Sequence, residues 1–116
     1  MFEDIEEYHK KLGYKYRGMP IEDQMVHLRY NALAFNLEIA EFINSFPWKA
    51  WRPIKDQCYD KNNAIKEVVD MFFFIGALLE IASITSEEVE TMFRIKLTEN
   101  YNRIERGYNN KPEERR

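Results

Sequence analysis

Apolar residues along this chain return every three or four positions rather than at every second one, the spacing of helices and not of strands. Met25, Leu28, Ala32, Phe35, Ile39 and Phe42 follow that step through a helix predicted over residues 20–44. Pro20 suits its first turn, and Glu22 and Asp23 sit at its positive end. A shorter helix is predicted over residues 3–12, ending before Gly13, and residues 14–19, which include Gly18, read as a loop. Pro47 and Pro53 bracket a non-helical stretch over residues 45–59. A third helix is predicted over residues 60–83, with Asp60 as its N-cap. Thr85 and Glu88 have the spacing of a capping box and open a fourth helix, which carries Val89, Met92, Phe93, Ile95, Leu97, Tyr101 and Ile104. It stops at Gly107, a good C-terminal cap. The tail from Asn109 is polar. No strand alternation and no internal repeat is visible, so an all-α, four-helix-bundle-like fold is expected.

The third helix is apolar almost all round: Val68, Val69, Met71, Phe72, Phe73, Phe74, Ile75, Leu78, Leu79 and Ile81. Such a helix must be covered on every side. Three other helices of this size can hardly do so alone, so a homo-oligomer, dimer or tetramer, is expected with this helix at or near the interface. Asp70 and Glu80 interrupt the run and argue against a membrane span, where charges are expensive.

The chain has 116 residues, read as a single domain over 1–116. Hydrophobic residues make up 45 % and charged residues 32 %, with four Gly and four Pro, which fits a globular chain of long elements. The net charge of −3 is a poor match to duplex nucleic acid, which calls for a basic footprint. Basic residues do gather between Arg94 and Arg116, enough to hold a phosphate tail. Cys58 is the only cysteine, so no internal disulfide can form, and a reducing cytoplasm fits. The first eleven residues are acidic and lack an apolar signal core.

Glu38 and Glu41 on the second helix, and Glu67 and Asp70 on the third, are each spaced i, i+3, so each pair shares one helix face. Both pairs stand among apolar residues, which turns them inward or toward a cleft. Two like charges about 4 Å apart cost on the order of 4 kcal/mol at an effective dielectric near 20. A cation must offset that repulsion, and Mg²⁺ prefers hard oxygen ligands shared with water and phosphate. Asp70 is the strongest member because it opens the most hydrophobic run. A di-iron bundle would need paired Glu-x-x-His motifs, but Glu6 and His9 supply one such spacing and His27 has Gln24 in place of the second glutamate.

Between the acid pairs, Phe46-Pro47-Trp48-Lys49-Ala50-Trp51-Arg52 crowds aromatic and cationic groups together. Aromatic faces can stack a base, and Lys or Arg can take phosphate; as a bland alternative the tryptophans cover the core. On the fourth helix Lys96, Asn100 and Arg103 form a stripe at i, i+4, i+7, with Arg106 a turn further on. That stripe is either a phosphate contact or a solvated face.

These motifs, in this order, resemble those of the all-α dimeric dUTPases and the phage dCTPases, within the wider MazG-like superfamily of nucleoside triphosphate pyrophosphohydrolases. Residues 38–51 (Glu38-Ile39-Ala40-Glu41 through Pro47-Trp48-Lys49-Ala50-Trp51) resemble the first metal motif and the loop after it. Glu67-Val68-Val69-Asp70 resembles the second motif. Lys96, Asn100, Arg103, Gly107 and Tyr108 resemble the C-terminal phosphate motif. The resemblance covers residues 34–108.

It implies a MazG/dimeric dUTPase-type oligomer that cuts a pyrimidine dNTP, dUTP before dCTP or a broader range, to the monophosphate and pyrophosphate. It implies two or more Mg²⁺, for which Mn²⁺ can stand in, held by Glu38, Glu41, Glu67 and Asp70, with Glu38 as general base. Phosphate contacts fall to Lys96, Asn100 and Arg103, joined by Lys49 and Tyr108. Gln24, Trp48 and Trp51 are the candidates for the base. The chain is shorter than most members, and the surroundings of Gln24 match the family's glutamine motif poorly. The rival of another class is a helical dimerisation module with no enzymatic chemistry. Binding of single-stranded nucleic acid through the tryptophans is disfavoured by the acidic balance.

Overall fold

A computed structural model describes residues 1–107; Tyr108 lies outside them. Four α-helices are present among the described residues: α1 (Phe2–Lys11), α2 (Ile21–Ile43), α3 (Lys61–Ile81) and α4 (Ser86–Glu105). None of them alone is long and apolar enough to cross a membrane. The chain divides into two compact units, Met1–Ser83 with the first three helices and a second unit from Ile84 onward with α4.

Local chemistry sets the helix ends. The Asp60 side chain accepts from the Asn63 backbone N–H, so α3 begins behind the predicted cap. Thr85 and Glu88 exchange both capping-box hydrogen bonds at the start of α4. Pro20 stands one residue before α2 as its N-cap rather than inside the first turn. Gly107, just past α4, takes φ 80°, a conformation in which a Cβ is strained.

In the first unit α2 runs against α3, and α1 lies on α3 as well. The buried centre is small: Ile5, Tyr16, Ala64, Ala77 and Ile81, with Met19 and Leu28 packed against Tyr16, Ala77 and Ile81. Tyr16 comes from the segment between α1 and α2, which the hydrophobic pattern marked only as loop.

α1 packs closely on α3 at Gly76, where a Cβ would stand 2.7 Å from Ile5 Cγ2. That methyl sits on a buried β-branched residue and cannot swing away. Gly76→Ala is therefore expected to destabilise the protein by about 1–2 kcal/mol, overpacking outweighing the gain in helix propensity. Urea denaturation measures it; a variant as stable as the parent would show that α1 shifts freely along α3.

Candidate functional site

Helix pairing of α2 with α3 brings together acids that are far apart in sequence. Oxygens of Glu38, Glu67 and Asp70 all lie within 4.8 Å of one another. Glu38 and Glu67 are half-buried and Asp70 is exposed. Glu38 Oε2 and Glu67 Oε2 are both buried and have no hydrogen-bond donor. As carboxylates they only accept, so each leaves the other unsatisfied. The Glu38 carboxyl is pushed up to about 7, chiefly because a proton held there would bridge to Glu67, then by burial and by the charges of Glu41, Glu67 and Asp70. Glu41 is exposed and stands outside the three-acid group, though its charge reaches Glu38.

Three convergent carboxylates, two of them carrying an orphaned buried oxygen, are a donor set that fits a hard divalent cation. Neither histidine joins this group. His9 is bound elsewhere, and Glu6 pairs with Arg17 and Lys10, so the half-motif for a di-iron site does not assemble.

Glu38 and Asp70 also line a cavity of about 710 Å³, the size of a small-molecule site. Its remaining wall is largely aromatic. Tyr14 and Tyr16 stack with ring centroids 5.5 Å apart, and His27 meets both edge-on. Asn31 lies on this wall and donates to the His27 carbonyl oxygen at 2.8 Å. At the α1 side the wall includes His9, whose Nδ1 lies 2.9 and 3.1 Å from the two oxygens of Glu80. Glu80 is 3 % exposed. Burial pushes its carboxyl above the usual range, and His9 opposes that shift. Burial likewise raises the Tyr16 phenol.

The tryptophan candidates stand elsewhere. Trp48 and Trp51 meet edge to face at 5.4 Å, Trp48 Nε1 donates to Asn44 Oδ1, and neither ring lines the cavity. Gln24 is half-buried on α2 and is absent from the cavity wall too. Lys49 belongs to a loop pinned by a residue the sequence did not flag. The Gln57 side chain accepts from the Lys49 N–H and donates to the Lys49 and Arg52 carbonyls. Stacking of Phe46 on Tyr59, and bonds from Asn63 and Asp60 to Ser45, close the same loop onto the start of α3. Lys96, Asn100 and Arg103 all lie on α4, exposed, within the second unit.

Sequence reasoning missed the aromatic wall. Its residues come from α1, the following loop, α2 and α3, with no shared spacing. The available signal was the density of Tyr and His over residues 8–30, which the helical pattern did not explain.

A family model described as dUTPase matches residues 5–79. No curated protein and no solved structure matches the chain. The matched segment takes in the three acids, Glu41, the Trp-containing loop and every cavity residue. It stops before α4.

Proposed function

We propose that this chain, which belongs to the dUTPase family, hydrolyses a pyrimidine deoxynucleoside triphosphate, dUTP by preference, to the monophosphate and pyrophosphate. Family membership supports nucleoside triphosphate pyrophosphohydrolase activity in general; the base, the metal and the assembly belong to our reading. The observation that carries it is the pair of unsatisfied buried oxygens on Glu38 and Glu67, gathered with Asp70 at the edge of an aromatic cavity.

Glu38, Glu67 and Asp70 would hold Mg²⁺, with Mn²⁺ as a substitute, and Glu41 would complete the set from the exposed side. When bound, the cation supplies positive charge to phosphate oxygens and acidifies water at neutral pH. Glu38 belongs both to the acid group and to the cavity wall, and in this reading it accepts the proton of the attacking water. The rings of Tyr14, Tyr16 and His27 offer faces and edges for a base and keep bulk water from it. Lys96, Asn100 and Arg103, with Lys49 and Tyr108, would bind the phosphates. Trp48 and Trp51 stand outside the cavity and support a base contact less well than its own wall does.

The test is pyrophosphate release from a panel of dNTPs with Mg²⁺. Release from dUTP supports the reading; no release from any nucleotide would leave the helical dimerisation module as the better account. Arg103→Ala is expected to weaken triphosphate binding about tenfold or more, the worth of a charge-assisted hydrogen bond, while the circular dichroism spectrum stays helical. Unchanged affinity would make the stripe a solvated face.

A homodimer is part of the same proposal. Val26, Tyr30, Leu33 and Leu37 form an exposed apolar stripe along α2, and Ile65 and Val69 are exposed on α3. Sedimentation at micromolar concentration should give a dimer or tetramer; a stable monomer would refute this part.

A further inference from the structure

One buried histidine at the cavity has no part in the chemistry proposed for the acids. His9 lines the cavity, and its Nδ1 meets both oxygens of Glu80, a glutamate in the last turn of α3 that is buried along with Ala77 and Ile81. A glutamate there is expensive unless it is fully used, and a hydrogen bond from a single ring nitrogen to both carboxylate oxygens uses it. His9 is wedged besides between Tyr8 and Tyr16, so its ring has little freedom to turn. An ionised carboxylate only accepts, which puts the ring proton on Nδ1 and leaves Nε2 a bare acceptor. Among the described residues Nε2 has no hydrogen-bond partner, and it is not one of the fully buried orphaned atoms.

We propose that Glu80 is a positioning residue that holds His9 as its Nδ1–H tautomer, so that Nε2 accepts the ring imide N–H of a uracil-type base in the cavity. This rests on the pyrophosphohydrolase reading and deepens it. Uracil offers N–H at ring position 3. Cytosine offers a lone pair at the same position and would face the Nε2 lone pair. One acceptor with a fixed tautomer therefore separates two bases of nearly equal size and shape, which apolar packing does poorly.

Two measurements test it, both at mildly alkaline pH. In the first, kcat and KM are determined for dUTP and dCTP with the parent protein and with Glu80→Gln. The substituted amide can donate to Nδ1 as well as accept from it, which releases the tautomer. The parent should favour dUTP, and Glu80→Gln should lower the dUTP-to-dCTP ratio on the order of tenfold, mainly through KM. In the second, ¹⁵N spectra of the parent's histidines should show His9 protonated at Nδ1 and bare at Nε2, with Nε2 shifted when the non-hydrolysable α,β-imido analogue of dUTP binds. The opposite tautomer, or an Nε2 resonance indifferent to the analogue, overturns the assignment even if the variant does not fold. Equal use of dUTP and dCTP by the parent, or an unchanged ratio in a folded Glu80→Gln, also overturns it. Release of pyrophosphate from neither nucleotide is a distinct result: the pyrophosphohydrolase reading falls, and this assignment with it.

Discussion

Glu67→Gln is expected to lower pyrophosphate release at least about a hundredfold while making the metal-free protein more stable. The two effects have one cause. Glu67 Oε2 is buried opposite Glu38 Oε2 with no donor for either, an arrangement useful only when a cation enters it. Replacing one oxygen by an amide nitrogen supplies a donor, turning repulsion into a hydrogen bond worth about 1 kcal/mol. In a chain of this size that corresponds to a Tm about 3–6 °C higher in the presence of EDTA. The same nitrogen cannot ligate a hard cation, so turnover is lost. Addition of Mg²⁺ with nucleotide should raise the parent's Tm and leave the variant's unchanged. Thermal scans with and without EDTA, paired with the activity assay, check both halves. A variant with parental activity would remove Glu67 from the site, and one that loses activity and stability together would make it a merely structural residue.

His9→Ala has the largest expected effect on stability. It strips a buried glutamate of its partner, and breaking a buried pair typically costs about 3 kcal/mol or more. The loss depends on pH, with a definite sign. Burial already holds the folded-state pKa of Glu80 above its ordinary 4.5, and His9 is the main opposing influence. Without His9 the value rises further. Between 4.5 and the raised value the folded state binds more protons than the unfolded one, so stability falls as pH rises through that window. Below 4.5, Glu80 is protonated in both states and the variant should approach the parent. At alkaline pH it should be at its weakest. Urea denaturation at several pH values follows this; a loss independent of pH would mean that the cavity left by the imidazole, not the buried charge, sets the cost.

The helices and the acid group could be read from the sequence because both depend on local spacing. A capping box is a four-residue pattern, and Thr85 with Glu88 forms it in the folded chain. Two i, i+3 acid pairs on successive long helices can meet only where those helices pair, and α2 and α3 do pair. Helix ends were less legible where glycine was absent. α3 stops at Ile81, with Ser83 at φ 57°, a left-handed residue that no sequence signal marked. The cavity wall was not legible at all. Tyr14 and Tyr16 are loop residues, and His27 and Asn31 sit on α2 at a spacing that resembles any polar helix face. Their convergence depends on how α1 and its loop fold back over α3, which is a tertiary fact fixed partly by the missing side chain at Gly76. For the same reason Gln24, Trp48 and Trp51 were attractive as base contacts: chemistry in the sequence pointed to them, and only the fold shows that the cavity is lined by others.

The proposed hydrolysis requires Glu38, Glu67 and Asp70 to bind a divalent cation. Titration of Mn²⁺ followed by its electron paramagnetic resonance signal measures that directly. The parent protein should deplete the signal of free Mn²⁺, excess Mg²⁺ should restore it, and the Glu38→Gln, Glu67→Gln, Asp70→Asn triple variant should leave it undiminished. A triple variant that takes up Mn²⁺ as the parent does, or a parent that takes up none, would contradict the account.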